Sequence, residues 1–494
     1  MDSGLLHPRS GVQGDDSPSS SVFDLPVQPS NPQTAVTAQL KTTQVKPGND
    51  SNGDYSPQIV VISGGSGGNS ICSAFDNACF VLPVSDDGGS SSEIIRVLGG
   101  PSIGDIRSRL VRLIPRAPPS SPLGALHTLL SYRLPVNVSE REARTEWRDI
   151  VEGNSHLWTG IPNDRKETIR GFLVYFEGEV LKRAHKNFSF LNGSIGNYFL
   201  SGAQMFFRSL PSAIFLFASI TNSQANILPV IITNHTVTIA AELENGSRLV
   251  GQCEISHPLN QPSSFEEDLD EQITGSICSP VDDMGGTIPH RSNVMYSQAD
   301  KDLGYEPLKS RICRLYYINA YGHEVHPTPN PEYIKHLSTS EALVYSCGSL
   351  WTSIVPCLAL RCVASAIARS NCLRAKIFLL NGMNDRETDG YTAVDYVRTI
   401  ATILNTHYQK PPYGLGNVQT IFPISAFVTH LVYLEGTSVV LDENELTNLG
   451  VMCVKVRGVN GVDQHPRYDS NVVRQAVDQI LDQSFGLWTL TPDQ

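Results

Sequence analysis

Charge is scarce in this 494-residue chain, at 17% of residues, and basic charge scarcer still: 37 Lys and Arg stand against 49 Asp and Glu, a formal net charge of −12. That balance argues against broad affinity for nucleic acid, whose phosphate backbone needs clustered cations. Long apolar runs are missing. None reaches the roughly 20 residues of a membrane span, so no membrane partner is expected. The opening residues, "MDSGLLHPRSGVQGDDSPSS", lack a basic start followed by an apolar core; no secretory signal is read there, and a cytoplasmic location is expected. The ten cysteines include no CxxC pair, and Cys357 and Cys362 are followed by no matching His/Cys pair. Reduced, mostly buried thiols are the expectation.

What is present is a chain that can bury a core, 40% hydrophobic. Residues 1–56 are rich in Ser, Pro, Gln, Asp and Asn and read as a disordered tail. Residues 57–485 read as one domain, interrupted by polar insertions at about 117–162 and 258–311. Within the first insertion, Ser139 resembles the N-cap of a helix over "EREARTEWRDIVEG". Short β-rich runs at Gln58–Ser63, Phe80–Ser85, Ala342–Ser346, Lys376–Asn381 and His430–Leu434 predict buried strands. "SSSEIIRVLGG", "IGNYFLSGAQMFFRSL", "PCLALRCVASAIARSN" and "TAVDYVRTIATILNTH" predict helices, and Asn245-Gly246 predicts a β-hairpin. Strands alternating with helices imply an α/β fold with a mainly parallel sheet covered on both faces.

The segment "IVVISGGSGG" places Gly64, Gly65, Ser66, Gly67 and Gly68 between a strand and a helix. Glycines allow close backbone approach, and free N–H groups at a helix start attract anions. The pattern does not complete GxGxxG, because Ser70 occupies the third glycine position counted from Gly65, and it lacks the Gly-Lys-Ser/Thr of a Walker loop. Asp86 and Asp87 end the second strand. An acid there can meet a ribose, as in a Rossmann unit. Paired acids equally suit hydrated Mg²⁺ or substrate hydroxyls, and with Ser90–Ser92 they also suit plain helix capping. In "GDIRSRL", Arg107 either neutralises a phosphate or pairs with Asp105. "SCGSLWTSIVP" offers Gly348, Ser349, Thr352 and Ser353 as a second phosphate loop, and "NDRETDGYT" places Arg386, Glu387, Thr388 and Asp389 after a further strand. Each could be an ordinary cap, but after separate strands of one sheet they converge on the edge where doubly wound folds bind ligands.

Taken in order, "SGGSG" (63–67), "SDDGGSSS" (85–92), "GDIRS" (104–108), "GSIGNYFL" (193–200), "NILPV", "GSLWTSIVP" (348–356) and "ETDGYTAVDYV" (387–397) resemble the CofD-like family. That family includes archaeal 2-phospho-L-lactate transferase and the bacterial gluconeogenesis factor. The resemblance implies a Rossmann-like three-layer fold that binds a nucleotide diphosphate or nucleotide-sugar. It implies Gly64, Gly65, Ser66, Gly67, Ser90, Asn197, Gly348, Ser349, Trp351, Thr352, Arg386, Thr388 and Asp389 around the nucleotide. Asp86, Asp87 and Arg107 would be catalytic, with Asp86 and Asp87 holding Mg²⁺; a homodimer is a further possibility. The motifs look closer to the gluconeogenesis-factor branch. Departures from its pattern are Ser66 for Thr, Ser92 for Gly, Ser108 for Asn, Ser346-Cys347 for Gly-Pro and Trp351 for Tyr, the last two altering the wall of the nucleotide site.

Two functions follow from the resemblance. In the first, an Mg²⁺-dependent transferase positions donor phosphates on the glycine loop and Asn197, with Arg107 offsetting charge. In the second, a non-catalytic regulator of carbon metabolism binds an intact nucleotide-sugar and presents a surface to partners. A nicotinamide-dependent oxidoreductase is a third reading, weakened by the incomplete GxGxxG.

Overall fold

Ile59-Val60-Val61-Ile62 is four β-branched residues, all buried, and forms the central strand β1. The computed structural model describes residues 57–75, 77–257, 306–406, 421–461 and 465–488; the expected tail and most of the expected 258–311 insertion lie outside them. After β1 come β2 (Cys79–Leu82) and β3 (Asn226–Pro229), then four strands of a separate sheet, β4 (Thr238–Leu243), β5 (Arg248–Val250), β6 (Ile312–Ile318) and β7 (Glu324–Val325). The main sheet is completed by β8 (Ala342–Tyr345), β9 (Ala375–Leu379), β10 (His430–Leu434) and β11 (Met452–Val456). Its order is β11-β10-β9-β8-β1-β2-β3, and every neighbouring pair is parallel. The five expected strands of this sheet are all present. Strand order reverses at β1, which pairs with β2 on one side and β8 on the other, so a crevice is expected at their carboxyl ends.

The smaller sheet is antiparallel, in the order β5-β4-β6-β7. Its β4–β5 hairpin turns at the expected Asn245-Gly246, with Gly246 at φ +83°.

Helices flank the main sheet. Between β1 and β3 lie α1 (Gly65–Ser70), α2 (Gly89–Leu98), α3 (Gly104–Arg112), α4 (Pro122–Ser131), α5 (Glu140–Glu152), α6 (Asn163–Leu181), α7 (Ile195–Phe207) and α8 (Leu210–Thr221). Residues 117–162 are therefore not a polar insertion. Their apolar residues recur at helical spacing, so α4 and α5 bury Leu126, Leu129, Leu130, Trp147 and Ile150 completely. Trp147 stacks on Phe190 at 5.3 Å and meets Tyr198 edge-on at 5.1 Å. Ser139 does cap α5, in a reciprocal capping box with Glu142.

A short α9 (Gln252–Ser256) follows β5, and α10 (Pro331–Thr339) precedes β8. Beyond β8, the helix expected over "PCLALRCVASAIARSN" is broken. A π-helical turn (Leu350–Ile354) leads into α11 (Val355–Leu358), the chain turns with Cys362 at φ +68°, and α12 (Val363–Ala368) resumes. A non-glycine residue in the left-handed region ends one helix before the next can start. The expected helix before β10 is intact as α13 (Ala393–Thr406).

Candidate functional site

The loops after β1, β2 and β8 meet at the crevice. A methyl group on Gly64 would lie 3.1 Å from Pro83 Cγ, 3.2 Å from Asp105 Oδ2 and 3.2 Å from Ser353 Cβ; one on Gly67 would lie 3.1 Å from the Cys347 carbonyl oxygen. Only glycine permits this approach between loops. Arg109 supports the turn from below. It is buried, donates from Nη2 to Ser63 Oγ (2.8 Å) and from Nε to Asn69 Oδ1 (2.9 Å), and lies over the Phe80 ring. Its role as a strut was not visible in the sequence.

Asp86 and Asp87 part company. Asp87 Oδ1 accepts the Cys253 amide of α9 at 2.8 Å, whereas Asp86 Oδ1 accepts the Gly88 amide at 3.2 Å. Asp86 Oδ2 faces the start of α3, 2.7 Å from where a Gly104 Cβ would be. Asp87 is thus turned toward α9 and Asp86 toward the start of α3. Asp87 anchors α9 and does not cap α2, whose N-cap is Gly88 without a side-chain bond. Among the described residues, no group of three or more His, Cys, Asp or Glu is arranged to hold a metal. Asp86 alone fits a hydrated Mg²⁺ shared with ligand phosphates, the usual mode for that ion.

Arg107 is the most informative side chain. It is 7% exposed and donates from Nε to Asn197 Oδ1 at 2.9 Å. Asn197 Nδ2 in turn donates to Ser90 Oγ at 2.8 Å. The sequence left Arg107 between a phosphate and Asp105. Among the described residues no ion pair is found for it, and Asp105 lies toward Gly64. Burial, then the nearby Arg133 cation, pushes its pKa down to about 9. Gly196 makes room for it: a methyl there would lie 2.9 Å from Arg107 Cδ. Ser90 and Asn197 belong to the first turns of α2 and α7, so this cation sits where two sets of free N–H groups begin.

The second loop differs from expectation. Trp351 N, Thr352 N and Thr352 Oγ1 all donate to the Glu387 carboxylate, at 3.0, 3.1 and 2.6 Å, and Ser256 Oγ joins them at 2.6 Å. Glu387 is 2% exposed and occupies the donors that this loop would have offered a phosphate. Trp351 is buried, with its indole N–H donating to Tyr391 OH at 3.3 Å. Thr388 is fully buried; its hydroxyl bonds Asp385 Oδ1 (2.7 Å) and Tyr396 OH (2.8 Å). Trp351, Thr352 and Thr388 thus form scaffold. Arg386 is tied to the Glu306 carbonyl and Asp389 is exposed. Gly348 does reach the crevice, at φ +144°, and Asn381 holds it with reciprocal bonds of 3.1 and 2.8 Å to its N–H and C=O. Ser349 follows as the cap of the π turn.

A cavity of about 220 Å³ lies behind the second loop, lined by Trp351, Tyr391, Arg311 and residues of α13. It is lined by none of the crevice residues. The described cysteines are all free, and burial pushes the Cys347 thiol beside the crevice up to about 11, leaving it protonated and inert.

Comparison with known proteins fits this geometry. A family model described as 2-phospho-L-lactate transferase CofD matches residues 59–457. Protein YNL011C of Saccharomyces cerevisiae, described as uncharacterized, is 33% identical over 438 residues, covering 81% of this chain and 95% of its own. A putative gluconeogenesis factor of Clostridium acetobutylicum is 23% identical over 434 residues, covering 86% and 70%. Among solved structures, a UPF0052-family protein of Bacillus halodurans superposes with a TM-score of 0.54 at 18% identity, covering 85% of this chain and 99% of its own. That last likeness speaks to the fold. The matched span includes α4 and α5, in keeping with their place in the core.

Proposed function

The chain belongs to the CofD family, and from that premise we propose that its crevice binds a nucleotide diphosphate-linked ligand and acts on it as a 2-phospho-L-lactate transferase-like enzyme. The observation that carries this reading is Arg107. A buried guanidinium without an ion pair is costly unless an anion arrives to compensate it. A phosphate beside it would also meet Asn197, Ser90 and the first turns of α2 and α7, while Gly64–Gly67 would let the ligand approach the backbone.

Asp86 would hold Mg²⁺, which when bound would offset the charge of the ligand phosphates. The protein's own share of the chemistry is positioning. Arg107 fixes and neutralises the phosphate that carries charge as the bond to the leaving nucleotide breaks, and Asn197 orients Arg107. Asp86, at the start of α3, would orient an acceptor hydroxyl.

One observation favours a second reading, binding without turnover. Asp87 is committed to α9, leaving a single acid facing the ligand, and one relative is named a putative gluconeogenesis factor. Native mass spectrometry separates the two. Purified protein is titrated with guanosine and uridine diphosphates and their conjugates, with and without Mg²⁺. Loss of the transferred group from a bound conjugate supports transfer; an intact conjugate retained for hours supports regulation. Arg107→Gln should weaken diphosphate binding at least about tenfold with the fold intact, the usual worth of one charge-assisted contact. Unchanged affinity in that variant would sink both readings.

A further inference from the structure

We propose that Arg133 is the second cation of the crevice's anion site, and that Arg107 and Arg133 together select a diphosphate, one cation to each phosphate. Like the assignment of Arg107, this rests on the crevice being a nucleotide diphosphate site. Arg133 follows α4, in a stretch whose sequence carries none of the site motifs. Its backbone is laced to the chain entering α7. It forms an antiparallel bridge with Ser194, the Leu134 N–H donates to the Gly193 carbonyl at 2.8 Å, and the Ile195 N–H donates to the Tyr132 carbonyl at 3.1 Å. Ser194 caps α7, its hydroxyl accepting the Asn197 N–H. Arg133 therefore stands beside the helix start that carries Asn197, the partner of Arg107.

Gly196 lets α3, α4 and α7 meet at this point. A methyl there would run into the Leu130 carbonyl of α4 and lie 2.9 Å from Arg107 Cδ, so the end of α4 and the Arg107 stem share the space a side chain would fill. The two cations are close enough that Arg133, after burial, is the second cause of the lowered Arg107 pKa. Arg133 Nη1 donates to the Asn192 carbonyl at 3.1 Å. Among the described residues that is the one hydrogen bond found for this head group, which carries five N–H donors. The residue is exposed while its head group is partly desolvated, which lowers its pKa; the Tyr198 hydroxyl and the Asp86 carboxylate, both near it, oppose that shift.

Two neighbouring guanidinium groups repel, and each keeps donors for which the described residues supply no acceptor. A singly charged anion would leave the pair a net cation. A diphosphate carries at least two charges on adjacent phosphorus atoms and offers each guanidinium its own charged acceptor. Arg107 is buried behind Asn197, whereas Arg133 is exposed. The first therefore takes the inner phosphate and the second the outer one.

The test is calorimetric titration of the full chain with inorganic pyrophosphate and with orthophosphate. Pyrophosphate should bind the parent more tightly. Arg133→Gln should weaken pyrophosphate about tenfold, the worth of one charge-assisted contact, and change orthophosphate by less than about twofold. Arg133→Lys keeps the charge and should recover pyrophosphate binding to within about threefold of the parent. Arg107→Gln should weaken both anions. Unchanged thermal midpoints of the ligand-free variants confirm that each folds. Pyrophosphate binding unmoved by Arg133→Gln, beside a loss in Arg107→Gln, would overturn the role of Arg133 and leave the crevice reading standing. Equal losses of the two anions in Arg133→Gln, or a lysine variant as weak as the glutamine one, would overturn the division of one cation to each phosphate. Pyrophosphate binding that neither Arg133→Gln nor Arg107→Gln moves, or none in the parent, would overturn the proposal, and the first of these the crevice reading with it.

Discussion

At the scale of single residues, two buried charges define this molecule in opposite ways. Glu387 is satisfied by four donors from the protein itself, whereas among the described residues Arg107 meets one amide oxygen and no carboxylate. The first is structural, and the second is the anion site that the proposed function rests on. Glu387→Gln turns an acceptor-only group into one that must aim an NH₂ at existing donors. It is expected to cost about 2–4 kcal/mol of unfolding free energy in urea, as for a broken buried charged network. A loss under ~0.5 kcal/mol would mean that the second loop does not depend on it. Legibility divides along the same line. The positions of Gly64, Asp86, Arg107 and Asn197 at loop and helix starts were readable, because glycine turns, strand-end acids and helix starts leave local patterns. The engagement of Thr352 and Trp351 by Glu387 was not, because a bond across some 35 residues leaves none.

At the scale of elements, the strands of the main sheet were legible for a simple reason: buried parallel strands are short and dense in Val, Ile, Leu and aromatic residues. α4 was not read as a helix, and α5, read as a helix, was placed in a polar insertion, because Pro and charged residues mask their sparse apolar stripes; the break at Cys362 carries no glycine to announce it. One strand also makes a pH prediction. His430 of β10 is 3% exposed, its Nδ1 lies 2.8 Å from Thr429 Oγ1, and burial holds its pKa down at about 4. The unfolded chain takes up that proton near 6.5, so this contribution to stability is complete above about pH 6.5 and is lost as pH falls toward 4. The loss amounts to about 3 kcal/mol. Urea unfolding of His430→Gln beside the parent, from pH 7 to pH 4, should show the stability difference between them shifting in the variant's favour by that order. Parallel curves would refute a neutral buried ring.

At the scale of the whole molecule, the crevice joins α2, α3 and α7 on one side of β1 to the β8 loop on the other, so a ligand bound there braces both halves of the sheet. Guanosine diphosphate at a hundred times its dissociation constant should stabilise the fold by about 2.7 kcal/mol, read as a raised thermal midpoint, and in Arg107→Gln, bound at least about tenfold more weakly, the same concentration should give about 1.4 kcal/mol or less. A midpoint that rises equally in both proteins would put the ligand elsewhere. The same central position of β1 bears on biosynthesis. Its register partner in β8, Ala342 against Ile59, lies roughly 280 residues later in the chain. At ribosomal rates of about 5–20 residues per second, the fully apolar edge of β1 waits on the order of 15 to 60 seconds for that partner to emerge. Nascent β1 is therefore the segment of this chain with most need of a chaperone, and slowed translation between β2 and β8 should lower its yield before it touches its activity.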